Sequence, residues 1–255
     1  MTRLAWVARD SYTMIGRSLR HLPRNLESLL MAVILPVMLM LLFVYVFGGA
    51  INTGTEYVNY VVPGIILLCA GFGASMTAVS VANDMATGVI DRFRTMPIHS
   101  SAVLTGHVAA SLVRNAFSTA LVFGVAYLAG FRPVATPLEW LATIGVLTLF
   151  VLAISWVSVC LGLLARSADA ASGYTFMFAF LPYVSSAFVP PETMPAVLRG
   201  IAEHQPVTPV IEAARGLLTG TPIGNSIWLS LAWFGGLLVV SYVLAAVLFR
   251  RRIAR

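Results

Sequence analysis

No lysine occurs anywhere in the 255-residue chain, and all sixteen basic residues are arginine. A P-loop ATPase needs a lysine on the β/γ-phosphates, and Schiff-base chemistry needs a lysine amine, so this polypeptide carries neither. Charge of either sign is scarce: 10% of the residues are charged, against about 25% in an ordinary soluble domain. The two cysteines, Cys69 and Cys160, lie in apolar runs without a CxxC partner, which argues against a disulfide framework or a cysteine zinc site. Asp and Glu are absent from the interiors of the apolar runs, so the ion-binding group that a proton- or sodium-coupled carrier uses is missing. His21, His99, His107 and His204 do not have metal-ligand spacing; each reads as a polar surface or interface residue, and a membrane metalloenzyme lacks its cluster.

What the chain has in quantity is apolar sequence. Hydrophobic residues make up 59% of it and the mean hydropathy is +0.89. Uncharged stretches run over 28–55, 57–83, 140–165, 170–191 and 216–249, and a further one over 102–131 is interrupted by Arg114. A bilayer-spanning helix needs roughly 20 apolar residues. The pattern therefore predicts a single all-α membrane domain over 1–255 with six transmembrane helices, at about 28–48, 58–83, 103–130, 139–165, 171–189 and 226–249.

Arginine placement sets the orientation. Twelve of the sixteen lie in the N-terminus, the 84–101 segment, the 166–169 loop and the C-terminus; Arg132, Arg199 and Arg215 fall on the opposite side. The positive-inside rule then puts both termini in the cytoplasm. The same distribution accounts for a pI of about 9.8 without nucleic acid as a partner. Before the first run, Leu4, Ala8, Tyr12, Ile15 and Leu19 recur at helical spacing among five arginines. That predicts an amphipathic helix over 1–25 in the headgroup layer, with a short solvated helix as the alternative. The first apolar run begins near residue 29 and exceeds the roughly 7–15 residues of a signal-peptide core, so no cleavable signal is expected.

Between spans five and six, the 188–225 connection is punctuated by Pro190, Pro191, Pro195, Pro206, Pro209 and Pro222. Two helices around 196–202 and 210–218 fit there, each too short to span, and together they read as an outer hairpin in or on the leaflet. Gly71, Gly73, Gly235 and Gly236 are expected to permit close helix packing.

Three features are candidates for function. The cytoplasmic segment 83–98 mixes Asp84, Asp91, Arg92 and Arg94 with exposed Val89, Ile90, Phe93 and Met96, and it stops at Pro97. Apolar residues beside arginine are what an interface centre carries; an ordinary solvated hairpin is the other reading. Arg114 lies roughly 18 Å into span three, counted at 1.5 Å per residue. It reads either as a translocation-path or coupling residue, or as the donor of an interhelical hydrogen bond or a residue of a span that begins later. In span five, Tyr174 and Phe178 share one face, and Phe176, Phe180 and Tyr183 share another. These rings could line a greasy path, or pack against lipid and neighbouring helices.

The chain resembles the membrane subunit of ABC-2 type exporters, in particular the daunorubicin-resistance-like permeases, over roughly residues 10–250. The resemblance rests on Asp84-x3-Gly88-x2-Asp91-Arg92-x-Arg94-x2-Pro97. It rests equally on Phe188-Val189-Pro190 to Met194-Pro195, on Gln205-Pro206-Val207-Thr208-Pro209, and on Ala214-Arg215-Gly216 with Gly220. Asp84 departs from the pattern, because many relatives carry the longer Glu there. The resemblance implies a type V exporter-like fold and two paired permease subunits, identical or merely similar. Each would dock on a separate ABC ATPase through Asp84, Gly88, Asp91, Arg92, Arg94 and Pro97, which would act as a coupling helix. Pro195, Pro206 and Arg215 would belong to the outer hairpin, and Arg114, Tyr174 and Phe178 to a possible path. ATP and Mg would be held by the partner, with no cofactor, metal or catalytic residue on this chain. The implied activity is drug efflux: outward movement of hydrophobic drugs or lipid-like molecules through a bacterial inner membrane. An exporter of a lipid-linked glycan or polymer, or an ion-coupled secondary multidrug carrier, is the alternative.

Overall fold

A computed structural model of the chain describes residues 26–51, 53–87 and 100–253. Helix α1 (Leu26–Leu42) runs into a π-helical turn at Phe43–Phe47. It is followed by α2 (Tyr57–Ala86), α3 (Ser100–Leu128), α4 (Pro137–Leu164) and α5 (Ala168–Ala179). Two 3-10 turns (Leu181–Val184 and Pro191–Thr193) come next, and then α6 (Ala196–His204), α7 (Val207–Thr219) and α8 (Ser226–Ile253).

Four of these helices are long and apolar enough to cross a membrane: Tyr57–Ala86, Val103–Leu128, Pro137–Leu164 and Ser226–Arg252; Val33–Phe47 is a shorter apolar helix. The fifth predicted span takes a different form. The helix stops at Ala179, and the backbone continues through a 3-10 turn containing Pro182. Proline supplies no N–H and pushes the residue before it out of α geometry, so an apolar run of spanning length ends as a broken helix. The expected interfacial helix over 1–25 lies outside the described residues.

Helix α2 is apolar on every side, and such a helix belongs in the interior. It is buried from Tyr60 to Ala70, packs against α1, α3, α4, α5 and α7, and forms the axis of the bundle. Close approach to it depends on missing side chains. A Cβ on Gly64 would stand 2.5 Å from Ala187 Cβ, and one on Gly73 would stand 2.4 Å from Asn115 Oδ1. A Cβ on Gly162 of α4 would stand 2.6 Å from the Ala78 carbonyl. Gly235 and Gly236 have nothing within 4 Å of that position, so the packing role expected of them is not seen within the chain. They lie on α8, whose outer surface exposes Trp228, Trp233, Val239 and Tyr242.

Helix ends are closed by side chains. At α4, Thr136 and Glu139 cap each other reciprocally, with Pro137 in the first turn. At its other end, Arg252 of α8 donates to the Leu163 and Ala165 carbonyls, where a cation meets the negative pole of the helix.

Between α5 and α8, α6 and α7 form a helical hairpin. The two helices are unlike. In α6, Val197, Leu198 and Ile201 are exposed and Arg199 pairs with Glu203 at 2.7 Å. Helix α7 is buried from Val207 to Leu218 and packs on α4, α8 and α2. It ends at Gly220, whose φ of +72° suits glycine.

Candidate functional site

Polar side chains cluster at three heights along α2. At its C-terminal end, Asp84 Oδ2 lies 3.1 Å from His107 Nε2 of α3. The two side chains are 23% and 15% exposed, so this is a partly buried clamp between antiparallel helices. Thr87 closes the end of α2 by donating its hydroxyl to the Asn83 carbonyl at 2.8 Å. Of the six residues assigned to coupling, Asp84 is described; Gly88, Asp91, Arg92, Arg94 and Pro97 lie outside the described residues.

Midway along, Arg114 of α3 reaches across to α2. Its Nη2 donates to the Gly73 carbonyl at 2.8 Å and to Thr77 Oγ1 at 2.9 Å. Among the described residues no carboxylate lies within 4.0 Å of the guanidinium. This is the geometry of an interhelical hydrogen bond, one of the readings of Arg114. Beside it, Asn115 Nδ2 donates to the Ser111 carbonyl at 2.9 Å, and Ser155 of α4 meets Ser111 hydroxyl to hydroxyl at 2.9 Å. A polar seam thus joins three spanning helices, where small and hydroxyl side chains take over the role that hydrophobic contact has in water.

At the other end, Arg215 of α7 is 9% exposed. Its Nε donates to the Tyr60 carbonyl at 3.1 Å and its Nη2 to the Ser186 carbonyl at 2.5 Å. The guanidinium carbon lies 3.7 Å from the centre of the Tyr60 ring, a cation–π stack. Burial pushes the guanidinium below the ordinary arginine range, and the nearby Tyr60 and Glu212 oppose that push. On α6, by contrast, Arg199 is solvent-facing and its bond to Glu203 holds it above that range. Pro195 precedes α6 and Pro206 precedes α7 as their N-terminal boundary residues.

The aromatic residues of the fifth run join a longer row. Phe176 and Phe180 lie 5.0 Å apart between ring centres, Phe180 and Tyr183 5.7 Å, and Tyr183 and Phe188 5.3 Å. Phe188 stands 4.5 Å from Phe43 of the π-helical turn, and Phe43 stands 5.5 Å from Phe47. Phe176 and Phe180 are about half exposed and Phe47 is exposed as well, so the row faces outward at both ends. Tyr174 is half exposed and is not among these ring contacts; the Phe178 side chain lies outside the description.

Sequence reasoning missed the partners. The sequence shows His107 singly and gives no role to Tyr60 or Ser186, and Gln205 enters it as part of the Gln205–Pro209 motif with no contact attached. The signal for His107 was the antiparallel register of α2 and α3, which sets a residue near the end of one helix beside a residue near the start of the next. For Arg215 no local signal exists, because Tyr60 lies 155 positions away.

The family model described as "ABC-2 type transporter" matches residues 10–219. The chain is 31% identical over 235 residues to the daunorubicin resistance ABC transporter permease protein DrrB1 of Streptomyces coeruleorubidus, covering 91% of this chain and 82% of that one. It is 25% identical over 238 residues to the probable doxorubicin resistance ABC transporter permease protein DrrC of Mycobacterium tuberculosis, covering 92% of this chain and 86% of that one.

Proposed function

This chain belongs to the ABC-2 type transporter family, and from that premise we propose that it is the membrane-embedded permease of an ATP-driven exporter. It is homologous to permeases named for drug resistance, which supports hydrophobic drugs or lipid-like amphiphiles as cargo. The chain carries no lysine for a P-loop, so hydrolysis falls to a separate ATPase subunit that holds ATP and Mg. Two permease subunits pair in a bacterial inner membrane, with both termini in the cytoplasm.

The observation that carries this reading is the single helix α2, with one polar clamp at its Asp84 end and another at its Tyr60 end. At 1.5 Å per residue its 30 residues extend roughly 45 Å, enough to cross a bilayer core. Docking of the ATPase on the 84–98 segment moves the end of α2. A rigid helix conveys that displacement to the hairpin, as shear and hinge movements do in packed bundles. The aromatic row from Phe176 to Phe47 offers stacking surface to a planar amphiphile, with Tyr174 and Phe178 on the same broken helix.

Co-purification from native membranes in mild detergent tests the reading, followed by reconstitution into vesicles. The expected result is recovery of a P-loop ATPase whose hydrolysis rises with hydrophobic drugs, together with drug uptake that requires ATP and survives collapse of the proton gradient. Uptake that follows the gradient and ignores ATP overturns it. Charge-neutralising changes at Asp91 or Arg92 are expected to lower drug-stimulated hydrolysis; unchanged hydrolysis removes the 84–98 segment from coupling.

A further inference from the structure

The backbone after α5 leaves helical geometry, yet it lies inside the protein: Ser185, Ser186 and Ala187 are all at or below 1% exposure. Irregular backbone at membrane depth is tolerated only where protein groups satisfy its carbonyls. Here the donors come from three separate places. The Val184 carbonyl accepts from Gln205 Nε2 at 2.5 Å, in the link between α6 and α7. The Ser186 carbonyl accepts from Arg215 Nη2 on α7, and the Phe188 carbonyl accepts from Tyr57 Oη on α2 at 2.9 Å. Ala187 rests directly on Gly64 of α2.

Arg215 differs from the other donors because it holds two elements at once. One edge of its guanidinium serves the unwound stretch, another serves the Tyr60 carbonyl of α2, and its face lies on the Tyr60 ring. Where membrane helices break in transporters, a small cation commonly sits among the freed carbonyls. In this chain a tethered guanidinium sits among them. Among the described residues it has no carboxylate within 4.0 Å, and the Glu212 carboxylate accepts from Ser226 at 3.2 Å instead. Carbonyls and a ring face are partners that a guanidinium can leave and regain without breaking an ion pair at contact distance.

We infer that Arg215 is the positioning residue that latches the unwound 181–189 stretch to α2, and that this junction parts when α2 is displaced, opening the path at the hairpin end. The inference rests on the exporter reading above. A planar fork with a stacking face is required; the compact ammonium of lysine cannot bridge both carbonyls and lie flat on the ring.

The test uses the full permease–ATPase complex in vesicles, with R215A, R215K and Tyr60→Leu variants, the last keeping its carbonyl and losing its ring. Both Arg215 variants are expected to assemble with lowered thermal stability and to hydrolyse ATP at the basal rate, while drug uptake falls at least about tenfold, the size of the first of the two charge-assisted hydrogen bonds lost. Millimolar methylguanidinium is expected to restore part of the R215A uptake and none of the R215K uptake. Tyr60→Leu is expected to fall between wild type and R215A. Wild-type uptake by R215K overturns the latch. So does a parallel loss of hydrolysis and uptake in R215A that methylguanidinium leaves untouched. If R215A does not fold, R215K and Tyr60→Leu decide alone. Spin labels at Glu56→Cys and Glu192→Cys read the junction without transport. A narrow distance distribution that broadens in R215K supports the latch, and an unchanged one overturns it. A wild-type complex without ATP-driven uptake instead defeats the exporter reading, and the label distances still judge the latch.

Discussion

His107 on α3 holds Asp84 on α2 at 3.1 Å, and the next polar contact along the same pair of helices is Arg114 to Thr77. Thr77 lies seven residues before Asp84 and Arg114 seven after His107, two helical turns in each case. The contacts therefore share one seam, and α3 is fastened to α2 at the end where the 84–98 segment begins. Asp84→Asn and His107→Ala are each expected to lower drug uptake several-fold. In a double-mutant cycle the pair should show a coupling of about 0.5–3 kcal/mol. Additive losses, measured as thermal stability in detergent, would mean that the two side chains act separately.

Arg114→Met keeps the volume and removes the donors to Gly73 and Thr77. Hydrogen bonds to a charged group contribute about 1.5–3 kcal/mol each, so the variant is expected to lose thermal stability and assembly along with transport. Transport lost from a fully assembled, equally stable complex would instead put Arg114 on the path. Detergent melting and size-exclusion profiles separate the two outcomes.

Gly64→Val and Gly162→Ala introduce atoms where the nearest neighbour stands at 2.5 and 2.6 Å. Overpacking of this kind costs about 1–3 kcal/mol, which melting curves will register. Gly235→Ala and Gly236→Ala meet nothing within 4 Å and are expected to raise helix stability slightly, by about 0.5–1 kcal/mol.

Phe176→Ala and Phe180→Ala each remove a half-exposed ring from the row. Stacked pairs contribute about 0.5–1.5 kcal/mol beyond area burial, so uptake of planar drugs should fall several-fold at unchanged basal ATP hydrolysis. Tyr174→Ala, which makes no ring contact among the described residues, should matter less. Equal effects on planar and aliphatic substrates would assign the row to packing.

Apolar runs make the long helices legible, because hydropathy reads side chains, and the prolines at 195, 206 and 209 announce two short helices where α6 and α7 stand. The broken fifth helix is harder. Its side chains are as apolar as those of a true span, and only Pro182 with the neighbouring Ser185 and Ser186 hints that the backbone unwinds there. Burial of α7 is equally hidden. Its arginine and glutamate look like surface residues until Arg215 finds carbonyls contributed by α2 and by the 181–189 stretch. Such contacts depend on the closed tertiary arrangement, and nothing in the local sequence around Arg215 states them.

None of the six rings in the aromatic row belongs to α2, whereas all three polar clamps do. On the proposed function, recognition and drive would therefore reside on different elements. If that function holds, a lineage facing a new toxin could revise Phe176, Phe180 or Phe47 while α2 stays untouched. Under antibiotic selection, adaptive substitutions should then accumulate in the π-helical turn at Phe43–Phe47 and around residues 176–180, and spare the residues that grip α2.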